Sequence, residues 1–147
     1  MKKSIFLLIL IIATLTSCHR LVEASGNGNL DGFWHIESID TIQSGGTLNV
    51  SQEYFFWSVQ HHLLICDDKT GNNSKIIMRF HHSGDSLTTY SPHIYSREAA
   101  GDIPTDDIAH LKPYGINNLE EKFLILRLSS NKMVLQSKKY IIKFRKL

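Results

Sequence analysis

The chain has little from which to build a covalent framework. Its 147 residues include two cysteines, Cys18 and Cys66, too few for a disulfide scaffold. It has no apolar run long enough to cross a bilayer as a helix. The longest, Ile5 to Leu15, is broken only by Thr14 and spans 11 residues, against the roughly 20 that a spanning helix needs. Prolines number three, Pro92, Pro104 and Pro113, all in one stretch. There is no internal repeat, no long amphipathic helix, no glycine-rich phosphate loop after a strand and no Gly-x-Ser-x-Gly elbow. Charge of one sign is also missing. Sixteen basic residues face 14 acidic ones, with no basic stripe of the kind that nucleic acid requires.

What is present begins at the amino terminus. Met1-Lys2-Lys3 is basic, the apolar run follows, and Leu15-Thr16-Ser17-Cys18 closes it. A basic start, a short apolar run and small residues are the order of a secretory signal. The last four residues resemble the lipobox of bacterial lipoproteins, in which small side chains admit the peptidase and the cysteine carries the lipid. This resemblance implies a signal peptide over 1–17 and lipidation at Cys18, with the membrane as a partner. More than one acyl chain would make the anchoring stable, at about 0.8 kcal/mol per buried methylene. Cleavage would remove Lys2 and Lys3 and leave 14 basic and 14 acidic residues. Cys66, in the run Leu63-Leu64-Ile65-Cys66, would then have no partner and is expected to be a buried, inert thiol.

Residues 18–30, with Gly26, Asn27, Gly28 and Asn29, read as a flexible tether, and the domain as 31–147. From Gly32 the pattern is one of short strands between turn residues. Gly32 to Ile39 is a strand, Gln52 to Val59 an aromatic one, and Gln60 to Asp67 another after a bend near Gln60-His61. Ile76, Met78 and Phe80 share a face, and Ser83-Gly84-Asp85 turns the chain into Ser86 to Tyr90. Residues 91–118, with the three prolines, read as a long excursion with one helical turn near Asp106 to Leu111. A three-stranded meander ends the chain. Leu124, Leu126 and Leu128 are expected on one face of its first strand, Met133 and Leu135 on the second, and Tyr140, Ile142 and Phe144 on the third. About eight antiparallel strands in this length imply an all-β barrel or sandwich.

Gly32-Phe33-Trp34 at the head of the first strand matches the Gly-x-Trp signature of lipocalins. The chain more closely resembles lipocalin-like lipoproteins of the Bacteroidetes. The shared features are Gly32 to Ile36, the aromatic Tyr54 to Trp57, Gly84-Asp85-Ser86-Leu87, Tyr114-Gly115-Ile116 and an ending like Phe123 to Phe144. The resemblance covers most of 31–147. It implies an up-and-down barrel of about eight strands, with Gly32 and Trp34 closing one end beneath a basic residue of the last strand, Arg145 or Lys143. It also implies an interior able to take a small apolar ligand, for which Phe55, Trp57, Phe80, Leu126 and Leu135 are the candidate lining residues.

Other constellations carry less chemistry. The histidine pairs His61-His62 and His81-His82 lie on strands, where neighbours point to opposite faces, so each pair offers at most one inward imidazole. Zinc needs three or four ligands converging, and no metal site is expected. The carboxylate pairs Asp67-Asp68, Asp106-Asp107 and Glu120-Glu121 read as turn formers rather than an acid–base pair across a cleft. No cofactor, catalytic residue or nucleic-acid partner is called for. The expected function is that of a membrane-anchored barrel that binds a small apolar ligand, aromatic-lined cavities with few polar groups being what such ligands require; the alternative is a packed barrel that serves as an interaction or accessory module of an envelope complex. An outer-membrane anchor facing the periplasm is the expected location, since His19 rather than aspartate follows Cys18 and no acidic run comes after it.

Overall fold

The computed structural model describes residues 25–98 and 101–147. Among these residues ten strands form one antiparallel sheet: β1 (Gly32–Thr41), β2 (Thr47–Asn49), β3 (Phe55–Gln60), β4 (Leu63–Asp68), β5 (Ile76–Ser83), β6 (Ser86–Ile94), β7 (Ile103–Pro104), β8 (Glu121–Leu128), β9 (Lys132–Gln136) and β10 (Tyr140–Lys146). Eight of them make the wall, in the order β1-β3-β4-β5-β6-β8-β9-β10, and β10 pairs back onto β1. The wall is therefore a closed, up-and-down barrel, as expected. β2 pairs antiparallel with the end of β1, and β7 with the end of β6.

Alternation places the interior. Along β5, Ile76, Met78 and Phe80 are buried while Arg79 and His81 face water. Met133, Leu135, Ile142 and Phe144 line β9 and β10 in the same way. Cys66 is a free, fully buried thiol. Burial, and then the nearby Asp67 charge, push its pKa well up, away from the thiolate.

The face expected on β8 is corrected. Leu124 and Leu126 are about half exposed, whereas Phe123 is fully buried. The register between β8 and β9 slips between Ile125 and Arg127, so Leu126 is an extra residue without a cross-strand partner. A bulge of this kind breaks the period of two. Phe123 and Ile125 then point inward before it, and Leu128 rejoins the core after it.

Two further boundaries move. β6 runs through Pro92 to Ile94, although the sequence read as an excursion from residue 91. Ser91 and Pro92 fall where the β5–β6 register shifts, and Ser91 has φ 54°. A proline is tolerated there because a bulge needs no ladder N–H. At the other end, Leu30, assigned to the tether, is fully buried at the close of a 3-10 turn over Gly28–Leu30, so the folded unit begins before Asp31. The helical turn expected near Asp106 to Leu111 appears as 3-10 turns at Ile108–His110 and Lys112–Tyr114.

Candidate binding site

At the first end of the barrel, Trp34 is fully buried and its indole N–H donates to Leu30 O at 2.8 Å. The cation over the ring belongs to Lys146, with Nζ 4.5 Å from the ring centroid. This corrects the expected Arg145 or Lys143. Trp34 pairs with Lys146 across the β1–β10 closure, while Arg145 and Lys143 point outward to Glu37 and Asp40. Lys146 Nζ also donates to Asn29 O (2.8 Å) and Asp31 O (2.7 Å). Gly32, at φ +134°, makes room for the lysine stem, since a Cβ there would sit 3.0 Å from Lys146 Cε.

The middle of the barrel is occupied by side chains. Trp57 is fully buried, with its ring centroid 5.7 Å from Phe123 and 5.0 Å from Phe144. Leu135 and Phe80 join the same core. Phe55 is half-buried near the other end, edge-on to Tyr114 at 6.1 Å. Among the expected lining residues, Leu126 is on the outside. Trp57 Nε1 is buried with no hydrogen-bond partner.

The second end is plugged from residues 108–117. Leu111, Tyr114 and Ile116 are fully buried. The Tyr114 hydroxyl donates to Ser74 O at 2.8 Å, and burial, with nearby Cys66, Asp68 and Asp67, pushes its pKa up and keeps it a neutral donor. Gly115 adopts φ +80°, and a Cβ there would lie 2.5 Å from Ile142 Cδ1. Glu121, itself buried, accepts from Asn117 N (3.0 Å) and Asn118 Nδ2 (2.7 Å), tying the plug to the start of β8. Asp68 forms the floor of the adjoining turn. It accepts from Thr70 N and Oγ1 and from Asn73 N and Nδ2 at 2.7–3.1 Å. Burial pushes its pKa up, but these hydrogen bonds outweigh that and hold it below the usual carboxylate value.

The sequence profile of the lipocalin-like domain family matches residues 13–147. The chain belongs to that family. Crystal structures agree with this lipocalin-like fold. A lipocalin-like protein from Bacteroides uniformis ATCC 8492 superposes at TM-score 0.59 with 18% identity, covering 82% of this chain and 100% of its own. A protein described as uncharacterized from Bacteroides eggerthii DSM 20697 superposes at TM-score 0.53 with 18% identity, covering 80% of this chain and 98% of its own. A comparison with curated proteins finds no match. In general, an eight-stranded barrel of the lipocalin-like kind either fills with side chains or holds one small apolar molecule.

Among the described residues no three histidine, cysteine, aspartate or glutamate side chains gather as a metal site. His35 Nε2 bonds Glu53 O at 2.7 Å on the outer wall, and its ring lies 5.0 Å from Phe56. His61, His62 and His81 are exposed. Sequence reasoning missed the plug. Its signal was Tyr114-Gly115-Ile116, a bulky pair around a residue free to take positive φ, inside a stretch otherwise read as a long excursion. Cys18 and residues 1–17 lie outside the described residues.

Proposed function

We propose that this chain is a lipid-anchored envelope protein whose lipocalin-like barrel is a packed scaffold that acts through its outer surface, as an interaction or accessory module. The observation that carries this reading is the contact of Trp57 with Phe123 and Phe144, all fully buried, at the place where a carried ligand would sit. The Tyr114 plug and the Trp34 closure support it from the two ends. Leu15-Thr16-Ser17-Cys18 supports anchoring, with 1–17 as the signal, 18–30 as the link to the membrane, and the periplasmic face of the outer membrane as the location. The proposal calls on no catalysis and no cofactor.

The carrier remains a second reading because of one specific observation. Trp57 Nε1 is an unpartnered donor inside the barrel, and a buried donor left unpaired costs about 1–3 kcal/mol. A small, mainly apolar ligand with one acceptor would satisfy it once the plug moved aside, with Phe55, Phe80 and Leu135 lining the space. Native mass spectrometry of the protein purified from its own host separates the two. A bare mass, together with a partner protein recovered by crosslinking in cells, is the expected result. A small molecule present at one per chain would establish the carrier instead. Acyl labelling of the Cys18→Ala variant tests the anchor, and labelling unchanged from wild type would remove it from the proposal.

A further inference from the structure

A cleft of about 280 Å³ lies on the outside of the wall, separate from the barrel interior. Its floor follows from register. Phe33 pairs with Ser58, and Ser58 with Ile65, so these three side chains form one outward row across β1, β3 and β4. The small Ser58 between two large apolar neighbours makes the hollow. Tyr95, held beside β5 by its N–H to Lys75 O at 2.9 Å, stands at the far side.

The rim is cationic. Lys69 Nζ lies 5.6 Å from the Phe33 ring centroid, Lys75 Nζ 5.1 Å from that of Tyr95, and the Arg97 guanidinium 5.5 Å from the same ring. Asp67 is the acid among the lining residues, and its Oδ2 is shared by Lys69 and Lys75, the latter at 3.2 Å. Arg97 donates to the Tyr95 hydroxyl and has no carboxylate partner among the described residues. Three cations thus surround one carboxylate, beside two aromatic rings and an apolar floor.

We propose that this cleft binds a small anion with a flat apolar body, an aromatic carboxylate being the class. The guanidinium of Arg97 is shaped for two parallel hydrogen bonds to a carboxylate. One face of the Phe33 ring stacks on Phe56 at 4.6 Å, and its other face and the Tyr95 ring remain for a planar body. The volume, near the lower limit of about 300 Å³ for ligand pockets, suits a compound of two fused rings. This site goes beyond the packed-scaffold reading and is independent of it, because none of its residues lines the interior.

Calorimetric titration of the full chain in a non-ionic detergent with 2-naphthoate, and with 2-naphthylmethanol as the neutral control, tests the assignment. Naphthoate should bind saturably, at least about tenfold more tightly than the alcohol, and more weakly as salt rises. Arg97→Gln should weaken it about tenfold. Ser58→Phe, which fills the hollow, should abolish it, with thermal melting of both variants close to wild type. Equal affinity for acid and alcohol, or naphthoate binding unchanged in both variants, would overturn the site. Binding of dihexanoylphosphatidylglycerol in place of naphthoate, lost in Arg97→Gln, would overturn the small-molecule assignment in favour of contact with anionic lipid.

Discussion

At the Trp34 end, closure comes from residues close in sequence or paired across one ladder. Leu30 precedes Trp34 by four residues and accepts its N–H, and Lys146 faces it across the β1–β10 seam. At the Tyr114 end, closure comes from a segment that leaves the wall after β6, crosses the mouth and is fastened by Ser74 on one side and Glu121 on the other. The first kind of closure joins the turn that leads directly into β1 to a lysine of β10, and the Lys146 contact cannot open without parting β1 from β10. The second rests on two 3-10 turns, a few buried side chains and hydrogen bonds to its neighbours, and it can separate while the wall stays intact.

Substitutions at each end sharpen this contrast. The largest effect is expected from Trp34→Ala, which should cost about 3–5 kcal/mol in urea unfolding because it empties a fully enclosed site. Gly115→Ala should cost about 1–3 kcal/mol, from the close approach to Ile142 Cδ1 together with the strain of positive φ on an alanine. Its mark should be local, with faster amide exchange over residues 108–117 and little change in β9 and β10. Exchange rising equally throughout the barrel would show that the two ends do not differ in kind. Lys146→Met should cost about 1–2 kcal/mol, by loss of the cation over Trp34 and of two charged hydrogen bonds.

Acid should weaken the plugged end through Asp68. Its native pKa lies below the unfolded value of about 3.9, so its stabilisation is fully present above that pH and is lost as pH falls through the native value. Asp68→Asn should cost about 1 kcal/mol at neutral pH and flatten the acid limb of a stability–pH curve. An unchanged limb would place the acid sensitivity elsewhere. The smallest effect is expected from Leu126→Ala. With its side chain 48% exposed on the outer face, the change should stay within about 0.5 kcal/mol. A loss of several kcal/mol would mean that β8 presents its other face to the core.

The same contrast describes what the sequence made legible. Strand number, the closing meander and the burial of Trp34, Trp57 and Ile76 follow from alternation and turn residues, which are local signals. The inward face of β8 did not follow, because three alternating leucines carry the same signal on either face and the bulge at Leu126 decides between them only through pairing with β9. Lys146 was legible but overlooked: alternation from Ile142 and Phe144 places it on their face and turns Lys143 and Arg145 outward, and the register with β1 then brings it to Trp34. The plug escaped because Leu111, Tyr114 and Ile116 have neither a period of two nor one of 3.6. Their burial depends on a mouth formed by strands far away in the chain.

Ring closure between β1 and β10 has a further consequence for how copies of this chain meet one another. A β-sheet with a free edge offers unpaired N–H and C=O groups to any neighbour, and concentrating such sheets promotes fibre growth. Here the wall strands pair on both sides, and the strands that lie outside the ring, β2 and β7, are three and two residues long. β7 also ends in Pro104, which has no N–H to donate. The barrel can therefore crowd against copies of itself without presenting a template along which they could zip together.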